Sequence, residues 1–289
     1  MGIRTDLAME SAAEILSECN ISGIENRTQR IDELDLEITD INIATPQAAL
    51  RVGRPQGRYI TVRASDGTFD HFSPCFEKRC EVIAEQIRLL AGNAERVLAA
   101  GLGNRDITPD AVGPLCADRI FATRHIKKYA SEIDSSDLTE MSVIQPGVMG
   151  KTGIEASEQV KAAVDSIKPA AVIAVDALAC SEIDNLGCTI QMCDTGISPG
   201  SGVQNSRKEL SESTLGVPCI AIGVPMVIDL STAAEKMFSA SANEKAAGMT
   251  VTPRNVDKLA ANCAEYISLS INLAFQKSLT AEELRSLTQ

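Results

Sequence analysis

Apolar residues recur along this chain with two different spacings, and the change from one to the other sketches the fold. Between residues 7 and 18 the apolar positions Leu7, Ala8, Ala12, Ile15 and Leu16 fall on one side of a helix. Leu34, Leu36 and Ile38, and later Tyr59, Thr61 and Arg63, alternate as strand residues do, with the turn Gly53-Arg54-Pro55-Gln56-Gly57 before the second set. From Phe76 onward helices and continuous apolar strands take turns. Their predicted order is helix 76–91, strand 96–102, helix 114–127, strand 141–145, helix 153–167, strands 170–175, 187–193 and 217–224, and helix 254–275. Strands apolar on both faces and separated by helices predict an α/β fold: a mainly parallel sheet with helices on both faces, of a phosphorylase/hydrolase-like kind. The N-terminal strands add a β-rich segment, as a separate hairpin-like layer or as an extension of the sheet edge. Residues 231–248 are small and polar and read as a surface connection or short helix.

Composition narrows the class. The chain has 289 residues, 44% of them hydrophobic, enough for one large core. Its net charge is −12, only 3% of its residues are aromatic and it has no Trp, which speaks against a phosphate-binding or base-stacking surface and so against a nucleic-acid partner. No apolar run is long enough to cross a membrane, and Met1 to Asp6 has no signal-peptide character, so a cytoplasmic protein without a membrane partner is expected. The nine cysteines are scattered with no C-x-x-C pair and read as reduced, mostly buried thiols.

Two apolar strands lead into aspartates: Val97-Leu98-Ala99-Ala100-Gly101-Leu102-Gly103-Asn104 followed by Asp110, and Ala171-Val172-Ile173-Ala174-Val175-Asp176. In an open α/β sheet the carboxyl ends of the strands face the ligand crevice, so Asp110 and Asp176 can meet there. Two carboxylates in one site tend to divide a single proton, which suits activation of a water and protonation of a leaving group. An aspartate directly after five apolar residues must find donors or face a cleft. For Asp110 a structural role also exists, in a short helical turn capped by Thr108 with Pro109 at its first position.

Neighbouring motifs fit other chemistries poorly. Gly101-Leu102-Gly103 suggests a dinucleotide loop, but Asp106 stands where the third glycine belongs. Gly147-Val148-Met149-Gly150-Lys151-Thr152 resembles a P-loop with Gln145 in place of its first glycine, and Thr152 with Glu155 reads as a capping box instead. Asp194-Thr195-Gly196 matches the tripeptide of pepsin-like proteases, but one copy in an α/β pattern cannot form their two-fold site; Asp194 lines the crevice or starts a turn. His71 and His125 are the two histidines and serve a Ser-His-Asp triad badly, while Arg124 can hold a carboxylate.

Taken together, several segments resemble the spore germination protease (GPR endopeptidase) family. They are Arg4-Thr5-Asp6-Leu7-Ala8, Gly101-Leu102-Gly103-Asn104, Thr108-Pro109-Asp110-Ala111-Val112-Gly113-Pro114, Thr123-Arg124-His125, Pro146-Gly147-Val148-Met149-Gly150, Thr152-Gly153-Ile154-Glu155, Asp176-Ala177-Leu178-Ala179, Asp194-Thr195-Gly196-Ile197, Pro199-Gly200-Ser201-Gly202-Val203, Thr214-Leu215-Gly216-Val217-Pro218 and Val251-Thr252-Pro253. The resemblance implies a fold related to hydrogenase maturation proteases, and an endopeptidase of the spore core that degrades small acid-soluble spore proteins during germination. It implies a homotetrameric zymogen that cuts its own Asp6–Leu7 bond, making residues 1–6 a propeptide and 7–289 a single peptidase domain. The catalytic carboxylates fall on Asp110 and Asp176, with Asn104, Arg124, His125 and Asp194 as supporting candidates in the cleft. No cofactor is required in the favoured aspartate mechanism; the runner-up is a metal held by Asp110 and Asp176, and a noncatalytic peptide-binding protein is a further class. The chain departs from the family pattern at Gln204 and Lys151, and its 229–249 region is shorter than in longer members, which touches any oligomer contact made there.

Overall fold

In the computed structural model the described residues are 5–17, 22–67, 69, 73–130, 132, 134–198, 208–238 and 248–288. Among them nine strands form one sheet: β1 (Ile24–Ile31), β2 (Leu36–Ile43), β3 (Gly57–Ala64), β4 (Arg96–Gly101), β5 (Glu140–Ile144), β6 (Ala171–Cys180), β7 (Thr189–Cys193), β8 (Cys219–Asp229) and β9 (Thr250–Val251). Their order is β1-β2-β3-β7-β8-β6-β4-β5, with β9 beside β8. The expected parallel part is the run β8-β6-β4-β5. β3 pairs antiparallel with β7, which decides the placement of the N-terminal β-rich segment: it extends the sheet edge. β7 is antiparallel to both neighbours. Only residues 181–188 connect β6 to β7, too short for the crossover a parallel strand needs. β1, Ile24-Glu25-Asn26-Arg27-Thr28-Gln29-Arg30-Ile31, carries no alternating apolar signal because it is a mostly exposed edge strand, where charge discourages further pairing.

The helices are α1 (Ala8–Ser17), α2 (Pro46–Val52), α3 (Phe76–Ala91), α4 (Val112–Ala117), α5 (Arg124–Tyr129), α6 (Met149–Thr152), α7 (Ala156–Ile167), α8 (Glu212–Leu215), α9 (Leu230–Phe238), α10 (Val256–Phe275) and α11 (Ala281–Leu287). The predicted helix 114–127 is two helices. Between them Phe121 N–H donates to Asn272 Oδ1 at 2.9 Å and Thr123 N–H donates to the Met141 carbonyl at 3.0 Å, which holds the chain out of helical form. The predicted capping box at Thr152 is also replaced. Gly153, at φ 72°, ends α6 in the left-handed region, Thr152 Oγ1 accepts from Ile154 N–H at 3.2 Å, and α7 starts after Glu155 with no side-chain cap.

Strand alternation sorts the core into two faces. Val97, Ala99, Ala171, Ile173 and Val175 pack with α3, α4 and α10, whereas Leu98, Ala100, Val172 and Ala174 pack with α7 and α8. Asp176 continues the second face.

Eight cysteines are described and none is in a disulfide; all but Cys75 are buried, and Cys19 lies outside the described residues. Burial pushes the Cys219 and Cys263 thiols up to about 12 and raises Cys80, Cys116 and Cys180 as well. Unfolded thiols ionise near their ordinary value of 9.0, so above that pH the folded chain binds more protons than the unfolded one. The stabilisation is complete below pH 9.0 and is lost as pH rises toward 12, by about 1.4 kcal/mol per pH unit for each such thiol. The urea midpoint is therefore expected to be flat near neutrality and to fall steeply above pH 9.0; an unchanged midpoint at pH 11 contradicts this account.

Candidate active site

Strand β4 stops at Gly101, which pairs with Val175, so Asp176 is the first β6 residue beyond the end of its neighbour. β6 itself runs on beside β8 to Cys180, and Asp176 thus lies inside a strand. It is 4% exposed, and its Oδ1 accepts from the N–H of Ala177 at 2.9 Å. Losing the pairing partner on one side while keeping it on the other turns the residue toward the cleft from a rigid strand.

Asp110 is delivered by the loop after β4. It ends a single 3₁₀ turn, Thr108–Asp110, in which Ile107 and not Thr108 takes the capping position. The N–H of Asn104 donates to both Asp110 Oδ2 at 2.8 Å and the Asp110 carbonyl at 3.0 Å. The glycines of the apparent dinucleotide motif serve this placement. A Cβ on Gly103, at φ 107°, would lie 2.2 Å from the Asp110 carbonyl oxygen, and one on Gly101 would lie 2.3 Å from the Gly113 carbonyl oxygen. They let α4 lie against β4 and β6 with Asp110 in the turn just before it.

Asp110 and Asp176 line one cleft of about 520 Å³, together with Asp6, Arg54, Gln191 and Gly223. The N-terminal segment occupies part of it. Asp6 N–H donates to the Ala179 carbonyl at 2.8 Å, and Ala179 N–H donates back to Asp6 Oδ2 at 2.8 Å. Leu7 is 0% exposed and packs with Leu178, Cys180, Ile228 and Ala233. Glu10 accepts at Oε2 from Ser181 N–H (2.7 Å) and Oγ (2.8 Å), and at Oε1 from Glu182 N–H (3.1 Å) and Asn185 Nδ2 (2.7 Å). Arg54 donates from its guanidinium to the Thr5 carbonyl. The Asp6–Leu7 peptide is therefore held beside β6 at the entry to α1, with an acidic residue before it and a sealed aliphatic residue after it.

The remaining sequence candidates go elsewhere. Asn104 reaches Asp110 through its backbone N–H, while its side chain accepts from Asp106 N–H at 3.1 Å. Asp194 is exposed and accepts from Arg58 N–H at 2.8 Å, the turn role; its neighbours Thr195 to Ser198 line the cleft instead. Arg124 pairs with Glu140 at 3.3 Å, and because Glu140 pairs with Arg96 at the start of β4, this ion pair sits at the opposite end of the parallel strands. His125 is exposed on α5. The structure does not bring Arg124 or His125 to the cleft. Lys151 pairs with Asp106 on the surface. His71, Pro199 to Val203, Gln204 and residues 239–247 of the shortened region lie outside the described residues.

Cys193 lines the cleft, but burial raises its thiol, so it is a poor nucleophile. Tyr59 also lines it and is pushed up to about 12 by burial, which keeps the phenol protonated. Among the described residues no three His, Cys, Asp or Glu side chains converge as a metal-ligand set. Sequence patterning missed Gln191, Arg54 and the Glu10 clasp. Gln191 did leave a trace, a polar residue inside Thr189-Ile190-Gln191-Met192-Cys193 that has to find partners when buried.

Comparison with known proteins bears on this cleft. A family model described as germination protease matches residues 4–239. The chain is 38% identical to a protein named germination protease from Caldanaerobacter subterraneus, over 99% of this chain and 98% of that one. It is 41% identical to one of the same name from Bacillus velezensis, over 80% of this chain and 65% of that one. A solved structure of a NiFe hydrogenase maturation protease from Thermococcus kodakarensis is similar at 19% identity and a TM-score of 0.38, covering 64% of this chain and 98% of that one.

Proposed function

This chain belongs to the germination protease family, and from that premise we propose that it is an endopeptidase which cuts its own Asp6–Leu7 bond and then hydrolyses small acid-soluble spore proteins in the spore core. The observation that carries the reading is the position of Asp6, held in the same cleft as Asp110 and Asp176 by hydrogen bonds that its N–H and its side-chain carboxylate make with the backbone of Ala179. Backbone hydrogen bonding to a strand is a common way of holding a peptide, and Asp6 N–H donates to the Ala179 carbonyl of β6 just before the chain enters α1.

Asp110 and Asp176 divide the acid and base roles. The ionised carboxylate takes a proton from water as the water oxygen attacks the Asp6 carbonyl carbon. Collapse of the tetrahedral intermediate breaks the C–N bond, and the protonated carboxyl group gives its proton to the departing Leu7 nitrogen. Residues 1–6 form the propeptide and 7–289 the single peptidase domain, and the zymogen assembles as a homotetramer. Among the described residues no helix is long and apolar enough to cross a membrane, in keeping with a protein substrate in solution.

The test is direct. Intact-mass measurement of the purified chain is expected to record loss of Met1 through Asp6, and a chain beginning at Leu7 is expected to fragment a spore-protein peptide after its acidic residue. Binding of that peptide without new fragments would instead identify a noncatalytic peptide-binding protein. Turnover that survives exhaustive chelation is expected; loss of turnover restored by added metal would overturn the two-carboxylate mechanism.

A further inference from the structure

One polar side chain in the cleft is used by neither aspartate. Gln191, 7% exposed on β7, spends its amide on the N-terminal segment: Nε2 donates to the Asp6 carbonyl oxygen at 3.0 Å and Oε1 accepts from the N–H of Ala8. The partners fix which end of the amide is which, because a carbonyl only accepts and an N–H only donates. The two bonds bracket Leu7 and touch the oxygen of the peptide group proposed to be cut.

The sheet explains why this residue faces the aspartate. Gln191 pairs with Gly223 on β8, and Gly223 pairs with Asp176 on β6, so the three form one row with side chains on one face. Two strand spacings of about 4.8 Å put the outer residues about 10 Å apart, room for an extended peptide between carboxylate and amide. The centre of the row has no side chain of its own. A Cβ on Gly223 would lie 2.5 Å from Leu178 Cγ, the leucine that packs against Leu7.

We propose that Gln191 is a catalytic residue of this peptidase, its Nε2 donor stabilising the substrate carbonyl oxygen as that oxygen becomes an oxyanion, and its Oε1 acceptor fixing the residue after the leaving group. This rests on the reading of Asp6–Leu7 as the bond cut. Water adds to the Asp6 carbon, the π electrons move to the oxygen held by Gln191, and collapse of the intermediate returns them as Leu7 nitrogen leaves with its proton. Gln191 gains and loses no proton. A fixed donor of this kind acts on charge present only during reaction, so it appears mainly in kcat.

The experiment uses Gln191→Glu and Gln191→Met in the full chain and in the chain beginning at Leu7, with a peptide of residues 5–10 as substrate. Gln191→Glu keeps the acceptor for Ala8 and deletes the donor; kcat is expected to fall by about 10²–10³-fold with KM within about threefold. Its deficit should shrink as pH falls and the new carboxyl regains a proton to donate, a response that a merely structural role would not produce. Gln191→Met, which adds no charge, loses both contacts and should lower kcat and raise KM; it carries the comparison if the Glu variant fails to fold. A wild type that cuts at Asp6–Leu7 alongside a folded Gln191 variant of equal kcat overturns the role of Gln191 alone. A wild type that leaves Asp6–Leu7 intact overturns the assigned bond and this role with it.

Discussion

Replacing Asp176 with Asn, or Asp110 with Asn, is expected to yield a folded chain that retains residues 1–6 and leaves substrate peptide uncut. Asparagine matches aspartate in shape, and its carbonyl oxygen can still accept from Ala177 N–H at position 176 or from Asn104 N–H at position 110. What it cannot do is take or give the proton. General acid–base groups typically contribute about 10²–10⁴-fold, so each variant should lie in or beyond that range. The two carboxylates act on one proton inventory, so the double variant should be scarcely slower than either single one. Time-resolved intact mass, with a melting curve on the same samples, reads both outcomes. Processing at the wild-type rate in either folded variant would sink the assignment.

The second large effect is structural. A Cβ on Gly113 would lie 2.1 Å from the Leu102 carbonyl oxygen and 2.5 Å from the Val175 carbonyl oxygen. Both obstacles are backbone atoms, one just past the end of β4 and one inside β6, so neither can swing aside as a side chain would. Gly113→Ala must push α4 off the sheet, at a cost of about 3 kcal/mol or more given the usual range for overpacked cores. Because Asp110 ends the turn that leads through Ala111 into α4, cleavage should fail together with stability. Gly150→Ala is the control: nothing lies within 4 Å of the added methyl, and a change of no more than about 0.5 kcal/mol is expected. Urea midpoints compare the two; a Gly113→Ala midpoint equal to wild type would remove the close-packing argument.

Much of this was legible in the order of residues, for identifiable reasons. The helix at 76–91 and the strands around Val97 to Gly101 and Ala171 to Val175 announce themselves because burial on both faces leaves continuous apolar runs. Asp110 and Asp176 stood out because carboxylates beside such runs need a reason. β1 could not be found in the same way, since its pairing is carried by backbone groups while its side chains face water. The antiparallel turn of β7 was hidden too, being set by the length of a connection rather than by the strand. Arg124 and His125 were cleft candidates through the Thr123-Arg124-His125 resemblance and the chemistry of Arg124, neither of which fixes a place in the sheet; Thr123, bonded to Met141 near the start of β5, puts them at the other end of the strands. Gln191 is the instructive loss: its partners Asp6 and Ala8 lie far back in the chain, and no local pattern joins them.

The docking of Leu7 and Glu10 carries a kinetic consequence. A cut after Asp6 severs one covalent bond but leaves Leu7 sealed at 0% exposure and the Glu10 carboxylate clasped by Ser181, Glu182 and Asn185. The newborn amino terminus thus remains lodged in half of the groove as a tethered product, at a local concentration no free peptide can match. Eviction of that tether, rather than hydrolysis, then governs the delay between maturation and the first encounter with a foreign chain.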